Sequence, residues 1–503
     1  MDKCQYTEVP DNCGSVNKQN KNEAWKPFMK QLLISSGVWA SVFVFGLGVG
    51  APTMVIPQIR KEANNTDIIS DDMASWITSV YGFSGFPFVL VLSIVTRFIG
   101  RKILFIIGIL DTSAAFTVLY FSTNITHILI SSIMQGLFSA CQIVVTVMVL
   151  TEYTSPKYRG IFLTIKSATF YWGIWASNAI GAFLHWKNIP LFGIICSLYI
   201  LLTICMWPES PYWLASRGRF EECAASHRWL KGCDEDSEKE LEALINSQKE
   251  YIASCGTTKL SARERITDFF KTIKSIEFYK PTALSITTGC LGLFSGKLVF
   301  ALYAIDILKK ITNNESTAYV AMLVLDGITI LSMYIGCSIS KYVKRRTLLL
   351  VASSIGVLFL FILSLYLYLI RLKIITENQY VSVSLLIAFS IAVSCGPLIM
   401  SMSVYAELIP VRSRNLSVCI VGLSGKLIIG VCLKLAPLLF RFSGLHGAFL
   451  TFGISSSTII LILYKYLPET KDKTLQEIAD CMKGVKPNKR VVASQKLLVN
   501  DKV

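Results

Sequence analysis

Long apolar runs recur along this chain and limit what it can fold into. A helix needs about 20 predominantly apolar residues to cross the ~30 Å hydrocarbon core of a bilayer, and runs of that length repeat here. Hydrophobic residues make up 53% of the 503 residues, and charged residues only 16%. A soluble chain of this size carries roughly a quarter charged residues. The sequence therefore predicts an all-α, polytopic membrane protein.

The apolar runs predict twelve transmembrane helices in two sets of six. The predicted spans are 32–56, 74–95, 103–122, 127–150, 160–184, 189–207, 281–305, 317–339, 347–370, 381–405, 416–437 and 446–467. The two halves end alike, with Pro208-Glu209-Ser210 after the first and Pro468-Glu469-Thr470 after the second. Since proline does not continue a helix interior, both stretches end a spanning helix, and their repetition indicates a duplicated protein.

Lysine and arginine are concentrated in alternate loops, which predicts an orientation. The loops after helices 2, 4, 6, 8 and 10 are basic, so these loops and both termini are predicted to face the cytoplasm. The glycosylation sequons at Asn64 and Asn314 then fall outside. The loop at 208–280 has charges at helical spacing, which predicts short amphipathic helices at the membrane surface. The predicted regions are 1–31 (cytoplasmic tail), 32–207 (bundle), 208–280 (cytoplasmic loop), 281–467 (bundle) and 468–503 (cytoplasmic tail).

Charge and cysteine usage exclude several classes of function. The net charge of +16 follows the tails and alternate loops, so it reflects orientation in a membrane and does not indicate nucleic-acid binding. The fourteen cysteines and four histidines form no CxxC or Cys/His cluster, so we predict no metal site and no cofactor. No nucleophile–base set or nucleotide loop indicates an enzyme. The polar N-terminus is unlike a cleavable signal. We expect a monomer in the plasma membrane whose partners are lipid and a small solute.

Acidic and basic residues recur at the same predicted cytoplasmic ends of both halves. Glu152 and Arg159 are seven residues apart, and so are Glu407 and Arg414. A carboxylate at a helix C-terminus is opposed by the helix dipole and favours a nearby cation. We predict that ion pairs across the two halves close the cytoplasmic side, as in transporters that rock two repeats around a central site. The alternative is that these are ordinary orientation charges. The predicted gate is Arg97, Gly100, Arg101, Lys102, Glu152, Arg159, Glu209, Arg345, Arg346, Glu407, Arg414 and Glu469.

With these motifs the chain resembles a sugar porter of the major facilitator superfamily over 33–475. It most resembles the glucose-type facilitative carriers and the insect trehalose carriers. The resemblance implies two six-helix bundles that move a sugar or sugar-like solute by facilitated diffusion through alternating access. The motifs that carry it are Arg97-x-x-Gly100-Arg101-Lys102, Glu152 with Arg159-Gly160, Pro208-Glu209-Ser210-Pro211 with Trp213-Leu214, Phe294-Ser295-Gly296, Gly396-Pro397, Glu407-x-x-Pro410 with Arg414, and Pro468-Glu469-Thr470.

The resemblance implies a solute site on helices 5, 7, 8, 10 and 11, and this chain departs from the family at most of its positions. The family's helix 5 glutamine falls on Ser167, its helix 8 asparagine on Thr329, and its helix 10 tryptophan on Met402. Each buried polar group of a solute left unpaired costs about 1–3 kcal/mol, so these departures weaken a glucose-type site. The predicted solute-binding residues are Ser167, Phe294, Ser295, Gly296, Lys297, Tyr303, Thr329, Met402, Gly425 and Lys426.

Four lysines lie inside the predicted spans, and they leave the substrate open. A charge at mid-membrane costs about 2.5–3.5 kcal/mol on insertion scales and therefore favours a wet cavity. We expect Lys426 and Lys297 to face the cavity, and Lys166 and Lys434 to snorkel to the interfaces. One hypothesis is a sugar uniporter, since helix 1 has no carboxylate. A second is an organic-anion or sugar-acid carrier that uses Lys426 and Lys297. A third is a sensor of the same fold without transport.

Overall fold

A computed structural model describes residues 25–62, 69–256, 271–312, 314–408 and 414–471. The described residues are almost entirely α-helical, and no strand occurs among them. The first bundle consists of α1 (Trp25–Glu62), α2 (Asp71–Ile99), α3 (Arg101–Tyr120), α4 (Ile125–Tyr153), α5 (Pro156–Phe183) and α6 (Asn188–Cys205).

Three helices outside the bundles follow α6 and form a small unit that we call the insert. They are α7 (Pro211–Ser216), α8 (Phe220–Lys231) and α9 (Glu235–Gly256). Apolar residues of all three pack together, with Trp213, Cys223 and Leu241 buried between them. The insert lies at one end of the first bundle, where the Trp213 indole donates to the carbonyl of Arg97 at 3.2 Å. We call this end of the molecule the insert face and the opposite end the far face.

The second bundle is built from helices of more varied length. Its members are α10 (Ile276–Phe294), α11 (Lys297–Leu302), α12 (Ala304–Thr312), α13 (Glu315–Ser340), α14 (Arg345–Arg371), α15 (Gln379–Cys395), α16 (Pro397–Leu408), α17 (Arg414–Phe442) and α18 (Gly444–Tyr466). Eleven segments of the described chain are long and apolar enough to span a bilayer. The helix α5 is not one of the eleven, although it has 28 residues. The all-α, polytopic fold class is confirmed.

Two spans that the sequence predicts as single helices are broken in the structure. The span at 281–305 is divided at Gly296, whose φ of 77° lies in the left-handed region that favours glycine. The span at 381–405 is divided at Gly396, because a residue before proline, here Pro397, is disfavoured in the α conformation. The predictions were wrong at both places because apolar composition continues across the breaks. The first helix is also longer than the predicted 32–56, since it begins at Trp25.

Glycines let helices approach closely at two positions that matter for the site. Within the first bundle, a Cβ on Gly46 of α1 would lie 2.1 Å from the carbonyl oxygen of Phe170 on α5. Between the bundles, a Cβ on Gly82 of α2 would lie 2.8 Å from the Cα of Gly430 on α17. Small residues allow such close helix contacts in membranes, where dispersion forces drive packing. The α2–α17 contact therefore joins the two halves tightly.

Candidate functional site

A cavity of about 300 Å³ lies between the two bundles. Both halves contribute to its wall: α1, α2, α4 and α5 from the first, and chiefly α10, α16 and α17 from the second. It extends from Tyr81 and Lys426 near mid-height to Tyr405 in the last turn of α16, at the insert face. Aromatic and aliphatic residues such as Phe45 and Phe170 form most of its surface. This is the position at which two-bundle transporters bind solute.

The ammonium group of Lys426 lies at the mid-height end of the cavity, away from the insert face. Its Nζ is 5.6 Å from the centre of the Phe45 ring and 5.7 Å from that of Tyr81, so both rings contact the cation through their faces. Its aliphatic stem passes Gly85 of α2, where a Cβ would lie 3.3 Å from its Cδ. Lys426 is 3% exposed and forms no hydrogen bond or ion pair with any residue the structure describes. The prediction that Lys426 faces the cavity agrees with this placement.

A second cation, Lys166 on α5, lines the same cavity next to Ser167. We expected Lys166 to snorkel to an interface, and the structure corrects this expectation. The residue lies about three helical turns into α5, which begins at Pro156, and that face of α5 is turned toward the cavity. Ser167 and Gly425, both predicted to contact solute, also line the cavity.

Most polar side chains of the cavity wall already bond to the protein. Ser139, Ser285 and Ser424 each donate to a carbonyl of their own helix. The Gln142 amide donates to Ser41 and accepts from Thr146 at 2.9 Å. These groups keep some capacity to accept hydrogen bonds but little capacity to donate them. Among the described lining residues, the donors left available to a solute are chiefly the two lysine ammonium groups and the Tyr81 hydroxyl, which has no hydrogen-bond partner.

Lys297 belongs to a different cluster, which corrects the prediction that it faces the central cavity. Its ammonium group donates to Ser390 at 2.8 Å, and Ser390 pairs with Thr329 at 2.9 Å. The carboxylate of Asp326 interacts electrostatically with Lys297 and accepts a hydrogen bond from Asn178 of the other half at 2.8 Å. Lys297 and Asp326 line a small cavity of about 40 Å³, and neither residue lines the central one. The left-handed turn at Gly296 sets the direction of Lys297, and apolar patterning did not reveal that turn.

Four further predicted solute residues have structural roles, and the side chain of a fifth lies outside the described residues. Ser295 and Gly296, with the neighbouring Phe294, form the break between α10 and α11. The Tyr303 hydroxyl lies 2.9 Å from Thr78 of the first half and 3.2 Å from the carbonyl of Leu433. Tyr303 thus closes the far face above the cavity. The side chain of Met402 lies outside the described residues.

Contacts between the halves close the far face. The Lys434 ammonium group on α17 bonds to Asp72 at 2.6 Å and to Ser75 at 2.8 Å, both on α2, and lies 4.2 Å from the Trp76 ring. We expected Lys434 to snorkel to the outer interface, and its ammonium group does reach the exposed Asp72 at the far face, where it also gains a partner from the other half. Thr53 of α1 donates to the carbonyl of Leu302 at 3.0 Å. The sequence signal for this contact was a carboxylate at the start of helix 2 and a lysine near the end of helix 11, two helix ends that are predicted to lie on the same side of the membrane.

The predicted gate forms networks within each half at the described side chains. In the first half, the Arg101 guanidinium bonds both oxygens of Glu152 at 3.1 and 3.2 Å, and Ser210 donates to the same carboxylate at 2.5 Å. Glu209 accepts from the backbone of Arg101 at 3.0 Å and from that of Lys102 at 3.3 Å. The prediction of pairs across the halves is therefore corrected for Arg101 and Glu152. Arg101 begins α3 and Glu152 lies near the end of α4, and both of these helix ends lie at the insert face of the first bundle.

The second half repeats this arrangement more simply. Glu469 accepts from the backbone N–H of Arg345 at 3.1 Å, and Arg346 donates to the carbonyl of Tyr464. Arg159 of the first half donates to the carbonyl of Thr154 at 3.4 Å. Glu209 and Glu469 thus bind the N-termini of α3 and α14, where backbone N–H groups need acceptors. The side chains of Glu407 and Arg414 lie outside the described residues, so their predicted pairing stays a prediction.

The sequence matches one known protein family over nearly its whole length. The model of the family described as sugar (and other) transporter matches residues 19–481. The chain belongs to the sugar (and other) transporter family. The facilitated trehalose transporter Tret1 of Apis mellifera ligustica is 23% identical over 90% of this chain and 88% of its own length. Tret1 of Drosophila virilis is 22% identical over 92% of this chain, which spans only 50% of that longer protein.

Solved structures give the same fold. The major facilitator proton:xylose symporter XylE bound to 6-bromo-6-deoxy-D-glucose superposes with a TM-score of 0.72, covering 90% of this chain and 99% of XylE at 14% identity. A partially occluded, inward-open form of XylE from E. coli superposes with a TM-score of 0.68 over 89% of this chain and 100% of XylE, at 14% identity. The chain is thus a multi-pass membrane transporter with the two-bundle major facilitator architecture, and the members of its family are transporters, not enzymes.

Proposed function

We propose that this protein is a facilitative carrier that moves a small sugar-like solute across the plasma membrane by alternating access. One observation carries the proposal: a single cavity is built by both halves, extends toward the insert face, and is closed toward the far face by contacts between α2 and α17. A rocking motion that separates α2 from α17 would turn the same cavity toward the other side. The trehalose transporters that resemble this chain over most of its length support a carbohydrate-like solute.

The proposed orientation places the insert face and both chain termini in the cytoplasm, with the carrier working as a monomer. Asn314 supports this orientation, because it is exposed at the far-face end of α13 within a glycosylation sequon. The second sequon, at Asn64, lies outside the described residues. In this orientation the cavity faces inward, and the predicted gate residues of the first half lie at the cytoplasmic ends of their helices.

Uptake by purified protein in liposomes tests the carrier function. We expect saturable uptake of a labelled sugar, from a panel that includes D-glucose and trehalose, with acceleration by unlabelled sugar inside. Joining Asp72→Cys to Lys434→Cys with a short bifunctional reagent should stop uptake, because the far face can no longer open. Each single cysteine variant, treated alike, is the matched control. Solute binding without uptake by the untreated protein would instead favour the sensor hypothesis.

A further inference from the structure

We infer that the solute carries a negative charge, and that the cavity takes a sugar acid whose carboxylate pairs with Lys426. This inference rests on the proposed carrier function and specifies its substrate class. The central observation is that two cations, Lys426 and Lys166, line the cavity, whereas no carboxylate occurs among its described lining residues. A positively charged cavity of this kind raises the local concentration of anions and repels cations.

The surroundings of Lys426 show what is missing from the site. An ammonium group has three N–H donors and no acceptor capacity. Those of Lys426 find no oxygen among the described residues, since the group lies against the faces of Phe45 and Tyr81. Buried charges in proteins are normally paired or hydrogen-bonded, because an unpaired one loses its hydration without replacement. A solute carboxylate at this position would supply both the opposite charge and the oxygen acceptors.

Two other lysines of the spans, Lys434 and Lys297, are paired within the protein. Lys434 bonds to Asp72 and Ser75, and Lys297 bonds to Ser390 near the Asp326 carboxylate. Lys426 differs from both because it opens onto the solute cavity. Lys426 lies at the end of the cavity that is farthest from the insert face, where both halves would enclose a solute. A charge at this position would favour anionic solutes over neutral and cationic ones.

The rest of the wall suits the body of a sugar acid better than it suits a neutral sugar. The aromatic rings of Phe45, Phe170 and Tyr171 offer faces to apolar C–H surfaces. The serine hydroxyls of the wall donate to helix carbonyls, so they can accept from solute hydroxyls but cannot easily donate to them. The Tyr81 hydroxyl, which has no partner among the described residues, is a neutral donor beside Lys426. A carboxylate would obtain a bond from Lys426 in which both partners are charged, and this bond is stronger than the one a neutral sugar hydroxyl would receive from the same group.

Matched pairs of solutes test the inference in proteoliposomes that contain the full chain. D-Glucuronate is compared with D-glucose, and D-gluconate with D-glucitol, since each pair differs in the acid group. We expect uptake of at least one acid to exceed that of its neutral partner by about tenfold or more. Lys426→Gln should abolish this preference and Lys426→Arg should keep much of it. Lys465→Gln, at an exposed position on α18, is the matched control and should behave like the wild type.

Membrane potential gives a second and independent readout. Uniport of a singly charged anion moves one negative charge per cycle, so its equilibrium distribution follows the potential. An inside-positive diffusion potential of about 100 mV should accumulate the acid about 50-fold at equilibrium. The uptake of a neutral sugar should equilibrate at equal concentrations regardless of the potential.

The outcomes separate this inference from the proposed function. Potential-independent uptake of D-glucose or D-glucitol, unchanged in Lys426→Gln and without uptake of either acid, would overturn the anionic substrate and leave the carrier intact. Absence of uptake for all four solutes by correctly folded, reconstituted protein would count against the carrier function itself. Thermal stability of each variant in detergent, measured without solute, verifies that the variant is folded. Should Lys426→Gln fail to fold, Lys426→Arg and the potential measurement still decide the question.

Discussion

Asp326 is the residue whose role the sequence analysis missed. It lies within a spanning helix of the second half, is buried, and accepts a hydrogen bond at 2.8 Å from Asn178 of the first half. An ionisable residue inside a spanning segment marks a functional or pairing site by default. A single acidic residue in an otherwise apolar run was the available signal. Its partner could not be inferred, because the sequence does not give the rotation of α5 against α13.

We predict that Asp326→Ala destabilises the protein through the groups it leaves behind. The variant removes the acceptor of the Asn178 amide and the negative charge near Lys297, and each buried polar group left unpaired costs about 1–3 kcal/mol. The melting temperature in detergent should therefore fall. In Lys297→Met/Asp326→Ala, much of the loss should be recovered, since neutral replacement of both charges is far less costly than removal of one. A double variant less stable than Asp326→Ala would contradict this coupling.

His227 in the insert gives a prediction for pH. Burial lowers the pKa of His227 from 6.5 to about 4, and the nearby Lys231 ammonium adds to the effect. Glu240 and Glu238 oppose this lowering, whereas Arg228 reinforces it. Neither ring nitrogen has a hydrogen-bond partner among the described residues. Between pH 6.5 and 4 the unfolded state binds more protons, so stability falls as pH falls through this window.

The expected loss is on the order of 3 kcal/mol when the window has been crossed completely. Thermal melts between pH 7.5 and 4.5 should show the wild type losing more stability than His227→Leu. The exposed His185→Leu is the control and should follow the wild type. Equal pH slopes for the wild type and His227→Leu would mean that other groups, such as the carboxylates, cause the acid sensitivity.

One face of α17 carries three different tasks at successive turns. Lys426 reaches the cavity past Gly85, Gly430 touches Gly82, and Lys434 bonds to Asp72. The spacing of four residues puts all three on the side that packs against α2. The sequence revealed that lysines occur in this helix, but only the packing of α2 showed which of them is paired. The element therefore combines solute recognition with closure of the far face.

Magnitudes decide which part of this contact holds the far face closed. The side chain of Asp72 is 77% exposed, so its ion pair with Lys434 contributes only about 0.2–1 kcal/mol. A Cβ on Gly82 would lie 2.8 Å from the Cα of Gly430, and a Cβ on Gly430 would lie 3.2 Å from the Phe83 ring of α2, so this contact has no room for a large side chain. We predict that Gly430→Leu separates α2 from α17 and exposes the far face much more than Lys434→Gln does.

The measurement is the reaction of Leu302→Cys with a membrane-impermeant thiol reagent added from the far-face side. Leu302 is buried, and its carbonyl accepts the Thr53 hydroxyl beneath this closure. Gly430→Leu should accelerate labelling by more than tenfold, whereas Lys434→Gln should accelerate it by about fivefold at most. The same variants with native Leu302 correct for reaction at the native cysteines. If Lys434→Gln accelerated labelling more than Gly430→Leu, the ion pair would be the principal closure.

At the scale of the whole molecule, the architecture was readable from the sequence and the site largely was not. Span length, repeated proline–glutamate endings and loop charges gave an all-α, twelve-span, two-bundle fold, because hydrocarbon thickness and backbone satisfaction permit few alternatives. The site depends on helix rotation and on breaks such as Gly296, which apolar composition does not encode. The predicted directions of Lys166 and Lys297 were therefore wrong, and the partner of Lys434 was not predicted, whereas Lys426 lines the cavity as expected.

The orientation of the whole chain has its own test. If the far face lies outside, Asn314 receives a glycan in eukaryotic cells, because it is exposed there within a sequon. Removal of N-glycans should increase the gel mobility of the wild type more than that of Asn314→Gln. The mobility increase of Asn64→Gln should likewise be smaller than that of the wild type. Protection of a C-terminal epitope in intact cells is the complementary measurement. A C-terminal epitope accessible without permeabilisation would reverse the proposed orientation.

The two helix pairs that bridge the bundles also determine whether the cavity is reached from water or from the lipid. On one flank α2 packs along α17, and on the other α5 packs along α13, where Trp175 donates to the carbonyl of Leu323 at 3.2 Å. Across the described residues, both flanks that border the lipid are thus covered by helix contacts, and the opening lies at an end of the bundle. In this state the cavity can be reached from water at the end of the bundle, and apolar molecules dissolved in the bilayer have no lateral route to Lys426 through either flank.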